Sequence, residues 1–225
     1  MDKVSILIQG HTECCEQIIL SLPKDVKTYW STWNIENIES LNIIRDNGIE
    51  IILNEPPVIC GTSNVNKQTI STTRGLLKIK NDGYRYVFKI RSDLAFRDLK
   101  QIIDLAYNQT IKNKKLQCPC FLMCPTYGSY VGDHFMLGDI DEMIFFWSAY
   151  IPIEIYYPPE QLLLNRYMNL KYNTQIKTFE YLKENVFDFL LGNMIDNNND
   201  AVWVGKNWRN GTSFIDHRLI KGVRY

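Results

Sequence analysis

Short apolar segments alternate with amphipathic segments along the first half of the chain. Residues 4–8 and 26–33 are rich in β-branched, aliphatic and aromatic side chains, which predicts the first two strands. Between them, residues 13–22 carry apolar side chains at helical spacing and end at Pro23. The opening order is therefore strand, helix, strand.

The same alternation continues to about residue 109. Residues 36–46 predict a short helix, residues 49–53 a third strand, and residues 64–81 a longer helix. Tyr86–Ile90 is nearly all apolar, which is typical of a strand buried on both faces of a parallel sheet. We therefore expect this strand at the centre of the sheet, followed by a helix over residues 98–109.

The second half of the chain is less regular. Residues 121–124 and 130–137 predict strands, and residues 139–150 and 160–168 predict helices. Neither an internal repeat nor a linker is apparent. We expect a single α/β domain over residues 1–225, built on a mixed sheet with helices on both faces.

Composition narrows the class of protein. The 225 residues are 45% hydrophobic and 22% charged, as in globular proteins, which excludes a disordered chain. Because Lys plus Arg and Asp plus Glu both total 25, no net charge attracts nucleic acid, and we expect no nucleic-acid partner. No segment has the roughly 18–20 apolar residues of a membrane span, and the first residues do not resemble a secretory signal. We expect a soluble, cytoplasmic protein. Peripheral contact with a membrane is compatible with this expectation.

The cysteine pattern leaves two interpretations. Of the six cysteines, Cys118, Cys120 and Cys124 cluster. A zinc site would need a fourth ligand at paired spacing, and the segment is otherwise apolar. Buried thiols are the preferred interpretation.

The predicted sheet nominates three loops as a ligand site. In open α/β sheets, ligands bind at the carboxyl ends of strands near a switch in strand order. Residues 9–12, 31–34 and 91–93 each follow a predicted strand. We expect the functional site where these loops meet.

Several segments, in their order along the chain, resemble WavE-type lipopolysaccharide-synthesis proteins. The resemblance covers roughly residues 4–165, with Lys67 where that family usually has arginine. The matching segments are Ser5–Gly10, Trp30–Trp33, Asn66–Gln68 with Ser71, Thr72, Gly75 and Leu76, Lys89–Leu94, and Pro158–Leu162.

This resemblance implies a GT-A-type, Rossmann-like glycosyltransferase. The enzyme would move a sugar from a nucleotide-sugar donor, with a UDP-sugar favoured, to a glycan acceptor in surface polysaccharide or glycoprotein glycan synthesis. Residues 1–110 would bind the donor and residues 111–225 the acceptor. The family usually holds Mn²⁺ or Mg²⁺ with an Asp-x-Asp motif, whereas Arg91-Ser92-Asp93 stands here. Arg91 could itself neutralise the diphosphate.

The resemblance and the loop positions together select candidate residues. Asp93 is the first metal-ligand candidate, and its alternative role is a helix N-cap. His217 could complete the metal site from the C-terminal region, or be a surface histidine. The candidates for binding the nucleotide sugar are Gln9, Gly10, Thr32, Asn66, Lys67, Gln68, Arg74 and Arg91. Those on the helix starting near residue 64 could instead form an exposed polar face.

Two acidic residues are candidates for the general base that inverting transfer requires. Glu160 begins a predicted helix after two prolines, where it would equally suit the helix dipole. Asp133 precedes His134 within a predicted strand and could instead bind sugar hydroxyls. Trp147, Tyr156, Tyr157, Trp203 and Trp208 could stack on sugar faces or pack in a core.

Two other functions are weighed against transfer. A catalytically inactive GT-A-like module would bind a nucleotide sugar or glycan without turnover, and the single acid of Arg91-Ser92-Asp93 keeps this open. A dinucleotide-dependent enzyme is disfavoured because no Gly-x-Gly-x-x-Gly follows the first strand, where Gln9–Cys14 stands.

Overall fold

The computed structural model describes residues 4–96, 98–119, 121–124, 128–149, 158–175, 178–189 and 201–203. Its strands are β1 (Val4–Gln9), β2 (Thr28–Trp33), β3 (Glu50–Asn54), β4 (Tyr86–Arg91), β5 (Leu94–Phe96), β6 (Leu116–Cys118), β7 (Phe121–Cys124), β8 (Gly128–Val131), β9 (Phe135–Asp139), β10 (Phe187–Phe189) and β11 (Ala201–Trp203). Its helices are α1 (Cys15–Leu20), α2 (Ile38–Asp46), α3 (Val65–Asn81), α4 (Leu99–Asn113), α5 (Ile140–Trp147), α6 (Pro159–Tyr172) and α7 (Phe179–Asn185).

A seven-stranded mixed sheet organises the chain, in the order β10-β6-β9-β4-β1-β2-β3. The run β3-β2-β1-β4 is entirely parallel, which is the order of a Rossmann-like sheet. β9 runs antiparallel to both β4 and β6. The predicted α/β class, with a mixed sheet and β4 at its centre, is confirmed.

Each face of the sheet buries its own apolar layer. One layer joins alternate residues of β1 and β4, such as Ile6 and Phe88, to helices α1, α2 and α4. The other joins Leu7 and Val87 to helices α3, α5, α6 and α7. Because successive strand residues point to opposite faces, a nearly continuous apolar strand such as β4 serves both layers.

Helix α3 approaches the sheet closely at one glycine. A side chain at Gly75 would place its Cβ 2.5 Å from Leu7 Cδ1. The absence of a side chain there lets the helix lie directly on β1. This contact fixes the start of α3, which carries Gln68, relative to the end of β1.

The chain around residues 91–99 differs from the predicted helix boundary. Residues 94–96 form strand β5, and α4 begins only at Leu99, where the Asp98 side chain accepts a hydrogen bond from the Gln101 backbone N at 3.0 Å. Asp98 is therefore the N-cap of α4. The alternative role of Asp93 as the cap is wrong.

The second half also departs from the sequence pattern. The predicted strand over residues 130–137 divides into β8 and β9, and the residues between them form a polar loop. β6, α7, β10 and β11 were not predicted. Cys118 is a buried thiol, as expected. Within the described ranges, no helix has both the length and the hydropathy to cross a membrane.

Candidate active site at the carboxyl edge of the sheet

The ends of β1, β2 and β4 meet the start of β9 at one edge of the sheet. β9 is antiparallel, so the loop that precedes it lies beside the residues that follow β4. Backbone hydrogen bonds join these segments: Ser92 N donates to Gln9 O at 2.9 Å, and Arg91 N donates to His134 O at 3.2 Å. The edge nominated from the sequence is thus a continuous surface.

Arg91 and Asp93 form a bidentate ion pair on this surface. Arg91 Nε donates to Asp93 Oδ1 at 3.0 Å, and Nη2 donates to Oδ2 at 2.8 Å. Nη1 of the same guanidinium lies 3.6 Å from Asp133 Oδ2. Burial alone would lower the pKa of Arg91, but the two carboxylates outweigh it and raise that pKa. Arg91 is therefore a fixed positive charge.

Two hydrogen bonds, in addition to the ion pair with Arg91, hold Asp133 in place. The Gln68 amide donates to its carboxylate, and Lys89 Nζ donates to its backbone carbonyl at 2.8 Å. Burial would raise the pKa of Asp133, but the positive charges of Arg91 and Lys89 lower it below its ordinary value. Asp133 is consequently ionised at neutral pH.

Lys89 is a functional candidate that the sequence pattern did not single out. Its side chain is fully buried, and Nζ lies 4.4 Å from the centroid of the Trp147 ring. Burial lowers the pKa of Lys89 to about 8, although Asp133 counteracts it. The sequence feature that could have identified Lys89 is a lysine inside an otherwise apolar central strand.

Glu160 lies in the first turn of α6, within electrostatic reach of this cluster. Burial raises the pKa of Glu160 to about 7, and the charge of Asp133 adds to the effect, while Arg91 and Lys89 oppose it. Two carboxyl groups with pKa values driven in opposite directions are typical of acid–base sites. Glu160 can accept or release a proton near neutral pH, whereas Asp133 keeps its charge.

The fit of this site to a divalent cation depends on which carboxylate oxygens are available. Both Asp93 oxygens are bonded to Arg91, and Asp133 Oδ2 accepts from Gln68. Over the described parts of the chain, no three His, Cys, Asp or Glu side chains group as a metal site would require. These residues, as arranged, do not fit Mn²⁺ or Mg²⁺. His217, the other predicted ligand, lies outside the described residues.

Gly10 allows the loop after β1 to pass against Ser92. Its φ is +131°, and a Cβ there would lie 2.3 Å from Ser92 Oγ. Only glycine adopts this backbone conformation readily. Any side chain would displace Ser92, and with it the adjacent Arg91 and Asp93.

Substituting Gly10→Ala is expected to lower the melting temperature by more than the backbone cost alone, because Ser92 has to move. Gly83→Ala is the matched control, because Gly83 also has a positive φ, +84°, but its Cβ would meet nothing within 4 Å. The control carries only the backbone cost, about 1–2 kcal/mol. Thermal unfolding of the two variants measures the difference. Equal losses in the two variants would contradict a contact specific to Gly10.

A second polar cluster lies beside the first, after β1 and β2. Glu36 accepts hydrogen bonds from Thr12 Oγ1 at 2.8 Å and Thr12 N at 3.1 Å, and its other oxygen lies 2.7 Å from His11 Nδ1. Burial would raise the pKa of Glu36, but these bonds lower it to about 2. The hydrogen bond to Glu36 raises the pKa of His11, which nearby Lys67 opposes. Lys67 is therefore within electrostatic reach of His11.

The structure also locates the other residues that the sequence predicted to bind the nucleotide sugar or to stack on sugar faces. Asn66 is buried, and its amide donates to Ile59 O at 2.9 Å, so it shapes the loop before α3. Thr32 is fully buried in β2. Arg74 is exposed, more than one helical turn beyond Gln68. Of the aromatic residues considered for sugar stacking, Trp147 is buried beneath Lys89. Tyr156, Tyr157 and Trp208 lie outside the described residues.

Comparison with solved structures finds distant likenesses. A cytidylyltransferase from Leptospira borgpetersenii aligns at 16% identity and a TM-score of 0.43, covering 84% of this chain and 76% of that chain. TarS from S. aureus aligns at 12% identity and a TM-score of 0.45, covering 74% of this chain and 33% of that one. The TarS 1–349 structure in complex with UDP-GlcNAc aligns with the same identity and TM-score, over 54% of that chain.

No protein-family model and no curated protein matches the chain. The resemblance to WavE-type proteins therefore stays a hypothesis. The class of ligand that the site can bind is therefore inferred from the chemistry of the residues that form it.

Proposed function

We propose that this protein is a glycosyltransferase that moves a sugar from a nucleotide-diphosphate sugar, a UDP-sugar in the first instance, to a hydroxyl group of a glycan. The observation that carries the proposal is Asp133 held beside Arg91 and Lys89 at the carboxyl edge of the sheet, with Glu160 of α6 within electrostatic reach of all three. Glu160 supplies proton transfer, Asp133 stays ionised, and Arg91 and Lys89 supply positive charge.

Glu160 is the general base of the proposed reaction. Its carboxylate takes the proton of the acceptor hydroxyl as that oxygen bonds to the anomeric carbon. The bond from the anomeric carbon to the diphosphate oxygen breaks, and the nucleoside diphosphate leaves with the electron pair. Because its pKa is about 7, Glu160 is substantially ionised at neutral pH and still basic enough to accept the proton.

Arg91 supplies the charge that the departing diphosphate requires. A guanidinium binds phosphate oxygens through paired hydrogen bonds and keeps its proton throughout. Gln9 is the register partner of Arg91 on β1, and Gln68 binds Asp133 from α3. Both amides lie where they could orient the donor against Arg91.

The resemblance to WavE-type proteins supports the same reaction. It favours an acceptor in surface polysaccharide or glycoprotein glycan synthesis, with the donor bound by the first half of the chain. The Rossmann-like order β3-β2-β1-β4 in that half suits a nucleotide at the strand ends. Mn²⁺ or Mg²⁺ dependence remains a prediction that requires His217 or a different arrangement of Asp93.

A donor panel tests the proposal. UDP-, GDP- and dTDP-sugars are added to the protein, and thermal unfolding and release of the nucleoside diphosphate are followed with and without sugar acceptors. One nucleotide class is expected to stabilise the protein, by roughly 2.7 kcal/mol at about 100 times its dissociation constant, and to be consumed. If no nucleotide sugar binds, the proposal is wrong.

A nucleotide-sugar-binding module without turnover is the second candidate. The Arg91–Asp93 pair favours it, because the motif position that usually holds a cation is occupied internally. The same panel separates the two functions. Stabilisation without donor consumption, across the acceptors tried, would favour the module.

A further inference from the structure

The ion pair of Arg91 and Asp93 has the geometry of a bound phosphate. Both Asp93 oxygens face the guanidinium fork, at 3.0 and 2.8 Å. Arginine binds two oxygens of a phosphate with the same planar, two-bond arrangement. Asp93 therefore makes the same two hydrogen bonds that two phosphate oxygens would make with this guanidinium.

This pair is accessible, whereas the groups around it are fixed. The side chains of Arg91 and Asp93 are 28% and 25% exposed, so a ligand can reach them from solvent. Asp133 is 8% exposed and is held by Gln68 and Lys89. The carboxylate that a ligand can displace is thus Asp93 and not Asp133.

Charge balance points the same way. When Glu160 is protonated, the negative charges of Asp93 and Asp133 balance the positive charges of Lys89 and Arg91. If Asp93 turns away to solvent while Glu160 is protonated, the cluster gains a net positive charge. An anion of the diphosphate class can then pair with Arg91, while the charge of Lys89 still balances that of Asp133.

We propose that Arg91 binds the donor's diphosphate directly, in place of a divalent cation, and that Asp93 is an internal competitor which the diphosphate displaces. This inference rests on the proposed function and specifies how its donor site works. It assigns Asp93 the opposite role from a metal ligand. Removing the Asp93 carboxylate should therefore strengthen diphosphate binding, whereas removing a metal ligand should abolish it.

Calorimetric titration with two probes, UDP and inorganic pyrophosphate, tests this competition. Each probe is titrated in EDTA and in Mn²⁺ against the wild type, Asp93→Asn and Arg91→Gln. In EDTA, we expect binding to the wild type, at least threefold tighter binding to Asp93→Asn, and at least tenfold weaker binding to Arg91→Gln. Asp104→Asn is the matched control, because Asp104 pairs with Lys100 on the exposed face of α4.

A second substitution, Asp93→Ser, also removes the carboxylate. Thermal unfolding of every variant distinguishes a folding defect from a change in affinity. Binding that requires Mn²⁺ and is lost in both Asp93 variants would make Asp93 a metal ligand and overturn the inference, while the proposed transfer would stand. Absence of pyrophosphate binding in EDTA would also overturn it. Tighter pyrophosphate binding in Asp93→Asn, with no nucleotide sugar bound, would support the competition and overturn the transferase.

Discussion

Glu160→Gln is expected to lower turnover by about 10²–10⁴-fold, the usual contribution of a positioned general base. Glutamine has nearly the same shape but cannot take the proton of the acceptor hydroxyl. Nucleotide affinity should change little, since Arg91 is untouched. Steady-state kinetics with the donor selected by the panel, together with titration of its nucleoside diphosphate, measure the two quantities separately.

The pH dependence gives this prediction a second readout. Below the pKa of about 7, Glu160 is protonated, so wild-type turnover should rise as the pH rises through 7. Because the folded pKa exceeds the unfolded value of 4.5, the stability from this group is present below pH 4.5 and is lost as pH rises through 7. Glu160→Gln should therefore unfold at a higher temperature than the wild type at pH 8.

Glu180→Gln is the matched control, since Glu180 is an exposed glutamate in the first turn of α7. It should leave turnover, its pH profile and stability unchanged. If Glu160→Gln instead kept full activity, Glu160 would be only a first-turn residue of α6, and the base would have to be sought at Asp133.

Lys89→Met should reduce turnover at pH 7 by tenfold or more and lower the free energy of unfolding by about 1–3 kcal/mol. Methionine fills the space of the lysine stem but leaves the buried carbonyl of Asp133 without its donor. It also removes a positive charge that lowers the pKa of Glu160. Denaturant unfolding and a pH–rate profile measure the two consequences.

The pH profile distinguishes an electrostatic role from a packing role. In the wild type, turnover should fall again above pH 8, where Lys89 loses its proton. Lys89→Met should lose this alkaline limb and shift the acid limb to higher pH. Lys100→Met is the control, because Lys100 pairs with Asp104 on the surface. An unshifted profile in Lys89→Met would assign Lys89 to packing only.

The edge of the sheet that carries the site could be predicted from local sequence. Apolar segments of strand length, separated by helical periodicity, define the parallel strands, and parallel strands place their ends together. Arg91 and Asp93 were named from this rule together with the resemblance, whereas Asp133 and Glu160 were named as acidic candidates for the base of the implied reaction. The pairing of Arg91 with Asp93 was not predicted, because it depends on the turn that residues 92 and 93 form between β4 and β5.

Other features depend on contacts that no local pattern encodes. Lys89 stands in an apolar strand, and its long aliphatic stem packs like an apolar side chain, so the pattern hid its ammonium group. The pairing of β11 with β5 joins two three-residue segments about a hundred positions apart. Segments this short have no periodicity of their own, and only the folded chain brings them together.

Strand β9 has a consequence for any attempt to divide the chain. It provides the hydrogen-bonding neighbour of β4 on the side away from β1, although it follows β4 by more than forty residues. A fragment ending near residue 110 would leave the backbone groups of β4, with Phe88 and Ile90, as an open apolar edge. Such edges pair with other chains and promote aggregation. Residues 1–110 are therefore unsuited to separate expression, and domain truncation must keep β9.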